Sequence, residues 1–479
     1  MERHEAEAIY DAGRERCVDF ILALEARYER LEARVEKLEE QLRRSSRNSS
    51  LPPSQDPPSA PPRPRQPGSG RTRGGQAGHE GRNRPLLPFE RVDELIEYWP
   101  ERCRACARDF REEERVDAAA PQRHQVAELP PIVVTVAEHR LHRLRCPECG
   151  ECTRAALPAD VPRGAFGPRF QAAVATLAVR NRVSRRDTVE LVRDLFGADA
   201  STGAVDAIVS RAGEALALPY EQLLGHIRAA AAVNIDETGW RLRGGKRTLW
   251  GALTAEAALF RIAPDRHERE ARALLGERFA GVACSDRWWA YNYLDPERRQ
   301  VCWAHLVRDF TAHAEGLAAQ NEFGKAGLRT AERLFAAWQQ FQQDSDRPAL
   351  KRAIAPLKRE LRPLLATHAR KRARHRHTRA LAKNLLKLWP ALWTFTEVDG
   401  VEPTNNAAER ALRGPVIHRK LSLGSQSEAG ERTIERLLSA SITCRLQSRS
   451  LFAYLTDALT AQARGDPVPP LARASAPGD

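Results

Sequence analysis

Nowhere in the 479 residues is there an apolar run approaching the roughly 18 uncharged residues that cross a bilayer, which excludes a helical membrane span. The opening stretch, MERHEAEAIYDAGRER, also lacks the apolar core of a secretory signal, so a cytoplasmic protein with no membrane partner is expected. An acidic excess is missing too: 76 Lys and Arg outnumber 63 Asp and Glu, for a net charge of +13. That balance favours a polyanionic partner, because each cation that neutralises a phosphate releases counterions. In such a compartment the nine cysteines are better read as thiols or metal ligands than as a disulfide framework. The length exceeds one compact core and implies roughly two to four structural units.

What is present divides the chain. Residues 1–44 carry a heptad seam of Cys17, Ile21, Leu24, Tyr28, Leu31, Val35, Leu38 and Leu42, flanked by Glu and Arg. So narrow a stripe is buried by a partner helix, so a coiled coil and a homo-oligomer are expected, with an amphipathic helix packed on its own chain as the alternative. Residues 45–85, rich in Pro, Gly, Ser and Arg, cannot offset chain entropy by burial and read as a disordered basic linker. Its Arg63, Arg65, Arg71, Arg73, Arg82 and Arg84 suit a phosphate backbone, or simply solubility.

Residues 86–160 contain Cys103-x-x-Cys106 and Cys146-x-x-Cys149-x-x-Cys152. A two-residue spacer lets one tight turn present two sulfurs, so Cys103, Cys106, Cys146 and Cys149 are expected to hold one structural Zn²⁺. Cys152 is the candidate spare, although any of the last three could be, and Ile132–Val136 is a strand candidate between the pairs. Residues 161–225 turn helical, with Ser184 and Ser201 as caps and Gly197 between, a pattern that suits a helix-turn-helix or a plain bundle.

From Ala230 the period changes. AAAVNIDETGW, RLRGGKRTLWGALT with its Gly244-Gly245 turn, and ALFRIA read as three antiparallel strands, followed by a helix and further strands at AGVACSD and RQVCW. That order belongs to a ribonuclease-H-like sheet, in which Asp236 and Asp286 would converge. Residues 226–303 are thus the first part of a catalytic core, 304–401 a helical insertion, 402–465 the second part and 466–479 a disordered tail. The fold class expected is multidomain α+β. Within the insertion, Lys351 to Lys387 hold thirteen Lys or Arg against one acid, Glu360. Such a cluster repels itself unless a polyanion neutralises it, which nominates Arg370, Lys371, Arg372, Arg374, Arg376 and Arg379 for DNA.

DETGWR, CSDRWWAYN and EPTNNAAERALRGPVIHRKLSLGSQSEAGE resemble the catalytic blocks of the insertion sequence 66 family of transposases. The N-terminal seam, NSSLPPSQD, GGQAGHEG and the paired cysteines resemble that family's N-terminal half, so the likeness spans nearly the whole chain. It implies a bacterial, nucleoid-associated transposase that cuts element ends and joins them to target DNA, with small accessory proteins as further partners. It also implies that Asp236, Asp286 and Glu409 form an Asp-Asp-Glu triad. Phosphodiester chemistry suits these residues, since two Mg²⁺ or Mn²⁺ ions about 3.5–4 Å apart prefer carboxylate oxygens. Asn406, Arg410 and Arg413 flank Glu409 on one helix and suit phosphate contacts; His305 and Arg308, one turn apart, do as well. Glu237 should point to the opposite face of its strand. A non-catalytic DNA-binding regulator and a hydrolysis-only nuclease are the rival readings.

Overall fold

The computed structural model describes residues 3–43, 45, 48, 85–117, 119–158, 160–316, 318–370 and 375–472. The chain divides into two compact units, one of residues 62–135 and one of residues 1–61 with 136–479.

In the larger unit, α1 (Arg3–Asp11) and α2 (Arg14–Arg43) are separated at Gly13, whose φ of +100° ends the helix. The single N-terminal helix expected from sequence is therefore two. Along α2, Ile21, Leu24, Tyr28, Leu31, Val35 and Leu38 are each 51–63% exposed, so the chain itself does not bury the seam. Most of the basic linker lies outside the described residues. Ser45 at its start is buried, and Asn48 donates to Glu315 at 3.2 Å.

The smaller unit is loop-rich, with 3₁₀ turns at Phe89–Arg91 and Glu112–Glu114. Expectation fails at Ile132–Val136, which forms no strand; Val133 is 79% and Val136 84% exposed. An alternating apolar sequence becomes a strand only where a neighbour satisfies its backbone. Instead β1 (Arg143–Arg145) pairs antiparallel with β2 (Cys152–Arg154) in the larger unit.

Next come α3 (Pro168–Ala175), extended by a π turn at Thr176–Arg180, then α4 (Arg185–Phe196), α5 (Thr202–Ala215) and α6 (Ala217–Ala229). Ser184 and Ser201 cap α4 and α5 by accepting from the Asp187 and Ala204 amides, and Gly197 closes α4 in the left-handed region. The inner face of α5 (Val205, Ile208, Val209, Ala212) is core. Its outer face shows Asp206, paired with Arg185, and Glu214. That sign is wrong for a phosphate backbone and lends the helix-turn-helix reading no support.

The central sheet is β3 (Ala232–Leu242), β4 (Gly245–Leu253), β5 (Ala258–Ala263), then, after α7 (Glu268–Leu275), β6 (Val282–Ser285) and β7 (Arg299–Val301). Its order is β5-β4-β3-β6-β7, with the first three strands antiparallel and β6 and β7 parallel to β3. The β3–β4 turn is Arg243-Gly244, both at positive φ, while Gly245 already pairs with Leu242. The turn is thus one residue earlier than the Gly-Gly pair suggests.

The insertion comprises α8 (Trp303–Ala314), α9 (Ala318–Asp344), α10 (Arg347–His368) and α11 (Arg376–Lys387). They bury their own core, including Phe310, Leu334, Ile354, Leu365 and Leu385, against Val282 and Val301 of the sheet. The chain then returns through α12 (Asn406–Ser422), α13 (Glu428–Leu446) and α14 (Leu451–Arg464), which share the other core with the sheet and α3, α5 and α6. One stripe of α13 protects the sheet edge. Glu435, Ser439 and Thr443, four residues apart, accept from the Ile262, Phe260 and Ala258 amides of β5. A helix thereby satisfies a strand that could otherwise template aggregation. The expected tail also starts later than 466: Leu471 is 1% exposed, its carbonyl accepts from Gln447, and that of Pro469 accepts from the Tyr454 hydroxyl.

Candidate active site

Asp236 lies near the middle of β3, opposite Gly251. Asp286 immediately follows β6, the parallel neighbour of β3, and Glu409 occupies the first turn of α12. Asn405 brings that turn to the sheet. It is fully buried, its side-chain amide donates to Ile235 O at 2.8 Å, and its backbone N–H donates to Cys302 Sγ at 3.1 Å. Trp303 N–H donates to Pro403 O at 2.9 Å, so the starts of α8 and α12 are tied together.

The three acids sense one another. Burial pushes the Asp236 carboxyl well above the usual range, and the charges of Glu237, Asp286 and Glu409 push further in the same direction. Opposite Glu409 stand two α8 side chains: His305 Nε2 at 3.7 Å and Arg308 Nη2 at 3.5 Å from Oε1. Both are beyond good hydrogen-bond length, and Glu409 Oε1 is buried with no hydrogen-bond donor. Burial lowers the His305 pKa, opposed by the charge of Asp286, helped by Arg308 and opposed again by Glu409. Asp286, Arg287, Trp288, His305, Arg308, Asp309 and Asn48 line a cleft of about 200 Å³. At about 30 Å³ per water, this has room for a phosphate group with some of its hydration.

Fixed partners hold the Asp286 loop. Trp288 N–H donates to Asp286 Oδ1 at 2.8 Å, and fully buried Arg299 donates to Asp286 O at 2.6 Å and Ser285 Oγ at 3.1 Å. Burial lowers the Arg299 pKa to about 10. Arg287 is clamped by Asp309 at 2.6 Å and Asn384 of α11 at 2.8 Å, which couples the loop to the insertion. On the other side of β3, Glu237 has a fully buried side chain that accepts from Arg266 Nε at 3.0 Å and from the Tyr291 hydroxyl.

Among the described residues, no three His, Cys, Asp or Glu side chains close into one ion's ligand shell. The acid cluster is nonetheless suited to divalent cations: it is buried, mutually repulsive, and contains an oxygen without a donor. A two-ion site that shares Asp236 needs only a pair of protein carboxylates for each ion.

The remaining candidates are spread over the surface. Arg410 and Arg413 are exposed on α12 and Asn406 is half-buried. Arg370 and Arg376 are exposed and Arg379 is half-buried at the α10–α11 junction, while Lys371, Arg372 and Arg374 lie outside the described residues. The charge cluster is less bare than its composition suggests. Lys351 pairs with Glu397 at 2.6 Å, Arg352 faces Asp346 at 3.9 Å, and Glu360 pairs with Arg333. Lys358 and Arg362 lie over the Trp393 and Trp389 rings.

The cysteine pairs, one in each unit, have the same local build. Cys103 N–H donates to Arg108 O and Ala107 N–H to Cys103 O; Cys146 N–H donates to Glu151 O and Gly150 N–H to Cys146 O. Ala107 and Gly150 both have positive φ. Backbone amides of Cys106 and Ala105 lower the Cys103 thiol pKa, and those of Cys149 and Glu148 lower that of Cys146. Cys152 lies outside its turn, on β2 opposite Arg145.

Residues 163–433 match the Transposase IS66 family, a span that includes Asp236, Asp286 and Glu409. The chain belongs to the IS66 transposase family. Residues 1–85 match a second family, described as a family of unknown function (DUF6444). A relative, "Uncharacterized protein y4hP" of Sinorhizobium fredii, is 24% identical over 371 residues, covering 68% of this chain and 64% of the relative's own length. No helix among the described residues is long and apolar enough to cross a membrane.

Arg266, Tyr291 and Arg299 were not expected at the site from the sequence, and Asn405 was expected only to lie within a turn of Glu409, with no role of its own. Asn405 had a signal, since it belongs to the same Asn-Asn pair as Asn406, but the side chain that turns inward is the first of the two. Arg299 opens a short strand that is buried throughout, where an arginine asks for a buried acceptor.

Proposed function

We propose that this IS66-family protein is a transposase that cleaves DNA at element ends and joins them to target DNA, on a ribonuclease-H-like core. The observation that carries this reading is the buried acid cluster of Asp236 with Asp286 and Glu409 at the junction of β3, β6 and α12. The β5-β4-β3-β6-β7 order, with an acid on the central strand and another at the end of its parallel neighbour, supports it.

Asp236, Asp286 and Glu409 would hold two Mg²⁺ or Mn²⁺ ions, Asp236 shared by both. Bound there, the ions supply charge stabilisation on the attacking and leaving oxygens of a phosphodiester. The protein's own side chains do the rest. Arg308 and His305 orient Glu409 from α8, and Arg299 and Trp288 N–H fix the Asp286 loop. Arg410, Arg413, Asn406 and the α10–α11 cations face the DNA backbone and set its register. Water is the nucleophile for end cleavage and the freed 3′ hydroxyl for joining. The exposed α2 seam serves self-association, which would hold two DNA ends together. The two cysteine turns are proposed as zinc knuckles, and Cys152 as the thiol left over.

The test incubates purified protein and Mg²⁺ with duplexes of candidate element-end DNA, with Asp236→Ala as control. Cleavage and joining by the wild type alone support the transposase. Equal cleavage by Asp236→Ala sinks the triad, cleavage without joining favours a nuclease, and binding without cleavage favours a regulator.

A further inference from the structure

Of the two tryptophans that follow Arg287, Trp288 holds Asp286 through its backbone N–H, whereas Trp289 stands next to it with no part in holding the acids. Trp289 is 45% exposed, and among the described residues it is the only tryptophan in the exposed class. Trp240, Trp250, Trp303 and Trp393, by contrast, are at most 3% exposed. A single exposed ring needs no explanation by itself, but this one lies beside the acid cluster and offers a flat face to a ligand.

The ring is mounted rigidly. Trp289 begins a 3₁₀ turn whose other members, Ala290 and Tyr291, are fully buried. His267 stands edge-on to it at 5.5 Å between ring centroids, and Trp288 lies beside it at 5.9 Å. Trp288 itself lines the cleft, bonded through its indole N–H to Arg266 O at 3.0 Å and through its backbone N–H to Asp286 Oδ1 at 2.8 Å. The Arg266 guanidinium lies 4.5 Å over the Trp288 ring. An aromatic surface therefore runs outward from the acid cluster, with Arg266, Arg287 and Arg308 beside it.

Flat rings next to cations and a phosphate-sized cleft match one ligand class, a nucleic-acid strand whose bases are available for stacking. In an intact duplex both faces of each base are covered by neighbours, so Trp289 can be satisfied only by a base that has left the stack. We infer that Trp289, braced by His267 and Trp288, is a stacking platform for an unpaired nucleobase of the DNA strand lying in the active-site cleft. This rests on the DNA-cutting reading above and adds to it a preference for locally opened DNA. Stacking on a tryptophan takes any base, so the platform contributes strand opening and not sequence choice.

The experiment uses the full chain in buffer without Mg²⁺ or Mn²⁺, so that nothing is cleaved, and without a chelator that would remove the proposed zinc. Fluorescence anisotropy measures affinity for a labelled twelve-nucleotide thymidine strand and for a twelve-base-pair duplex. Trp289→Ala should weaken single-strand binding on the order of 10-fold or more and duplex binding by no more than about 2-fold, whereas Trp289→Phe should retain most of the single-strand affinity. A single 2-aminopurine within the strand should be quenched by the wild type and less so by Trp289→Ala. Unchanged single-strand affinity in Trp289→Ala, or an equal loss on both DNAs, overturns the platform. A wild type that binds neither DNA overturns the DNA-cutting reading as well, which separates the two failures.

Discussion

Asp236 and Glu237 are neighbours on one strand, both buried and both pushed above the ordinary carboxylate range, and their partners differ. Glu237 meets a guanidinium and a phenol, Arg266 and Tyr291, which offset in part the upward push of burial and of the Asp286 charge. Asp236 meets Glu237, Asp286 and Glu409, all of its own sign. A paired buried carboxylate belongs to the framework, because removing it strands its partners. An unpaired one in a cluster is costly until something positive arrives from outside. The alternation of a β-strand lets one dipeptide serve both purposes on two faces.

The largest expected effect separates the two. Asp236→Asn should reduce Mg²⁺-dependent cleavage by about a thousandfold or more, because a bridging ligand is lost. The same change should leave the metal-free protein as stable as before or more so, since it removes a buried charge among like charges. Glu237→Gln should do the reverse. Chemical denaturation should show a loss of about 1–3 kcal/mol, while cleavage stays within about 10-fold of wild type. Loss of cleavage in both, with stability unchanged in both, would mean that the two carboxylates form one site.

Acidity sharpens the contrast next. The Asp236 pKa is raised in the fold from an ordinary 3.8, so the folded state binds its proton more tightly than the unfolded chain does. The corresponding stability is fully present below the unfolded pKa and is lost as pH rises through the raised folded value. Metal-free protein should therefore become less stable as pH rises from about 4. Mg²⁺, proposed here to bind the deprotonated cluster, should recover that loss by raising the melting temperature at neutral pH. The rise should be absent in Asp236→Asn; an equal rise there would place the cation elsewhere.

Much of this was legible in the sequence because it is local. The apolar runs that lead into Asp236 and Asp286, the caps at Ser184 and Ser201, and the helix carrying Glu409 are written within a few residues each. What failed to show depends on partners far along the chain. Ile132–Val136 has strand composition but no neighbouring strand. The dense cations of α10 find acids at Asp346 and Glu397, outside the window that makes them look unopposed. Leu471 joins a core built from segments far along the chain, with its carbonyl held by Gln447. In the active site, the acids could be named, whereas Arg299, Tyr291 and Asn405 gain their meaning from contacts with other segments.

The smallest expected effect is the most discriminating. Tyr291→Phe removes only the hydroxyl that donates to Glu237, in a ring that is otherwise fully buried. Arg266 still answers the carboxylate, so the loss should be about 1 kcal/mol of stability. Glu237 should then hold its proton more readily, which lowers the repulsion it exerts on Asp236. If Glu237 is framework, cleavage should keep its wild-type rate and pH profile within about 2-fold, because neither residue touches the reacting phosphate. A shift of that profile toward lower pH would mean that Glu237 tunes the Asp236 charge. A collapse as deep as that of Asp236→Asn would put the phenol and its carboxylate among the reacting groups, and the two faces of β3 would no longer be distinct in function.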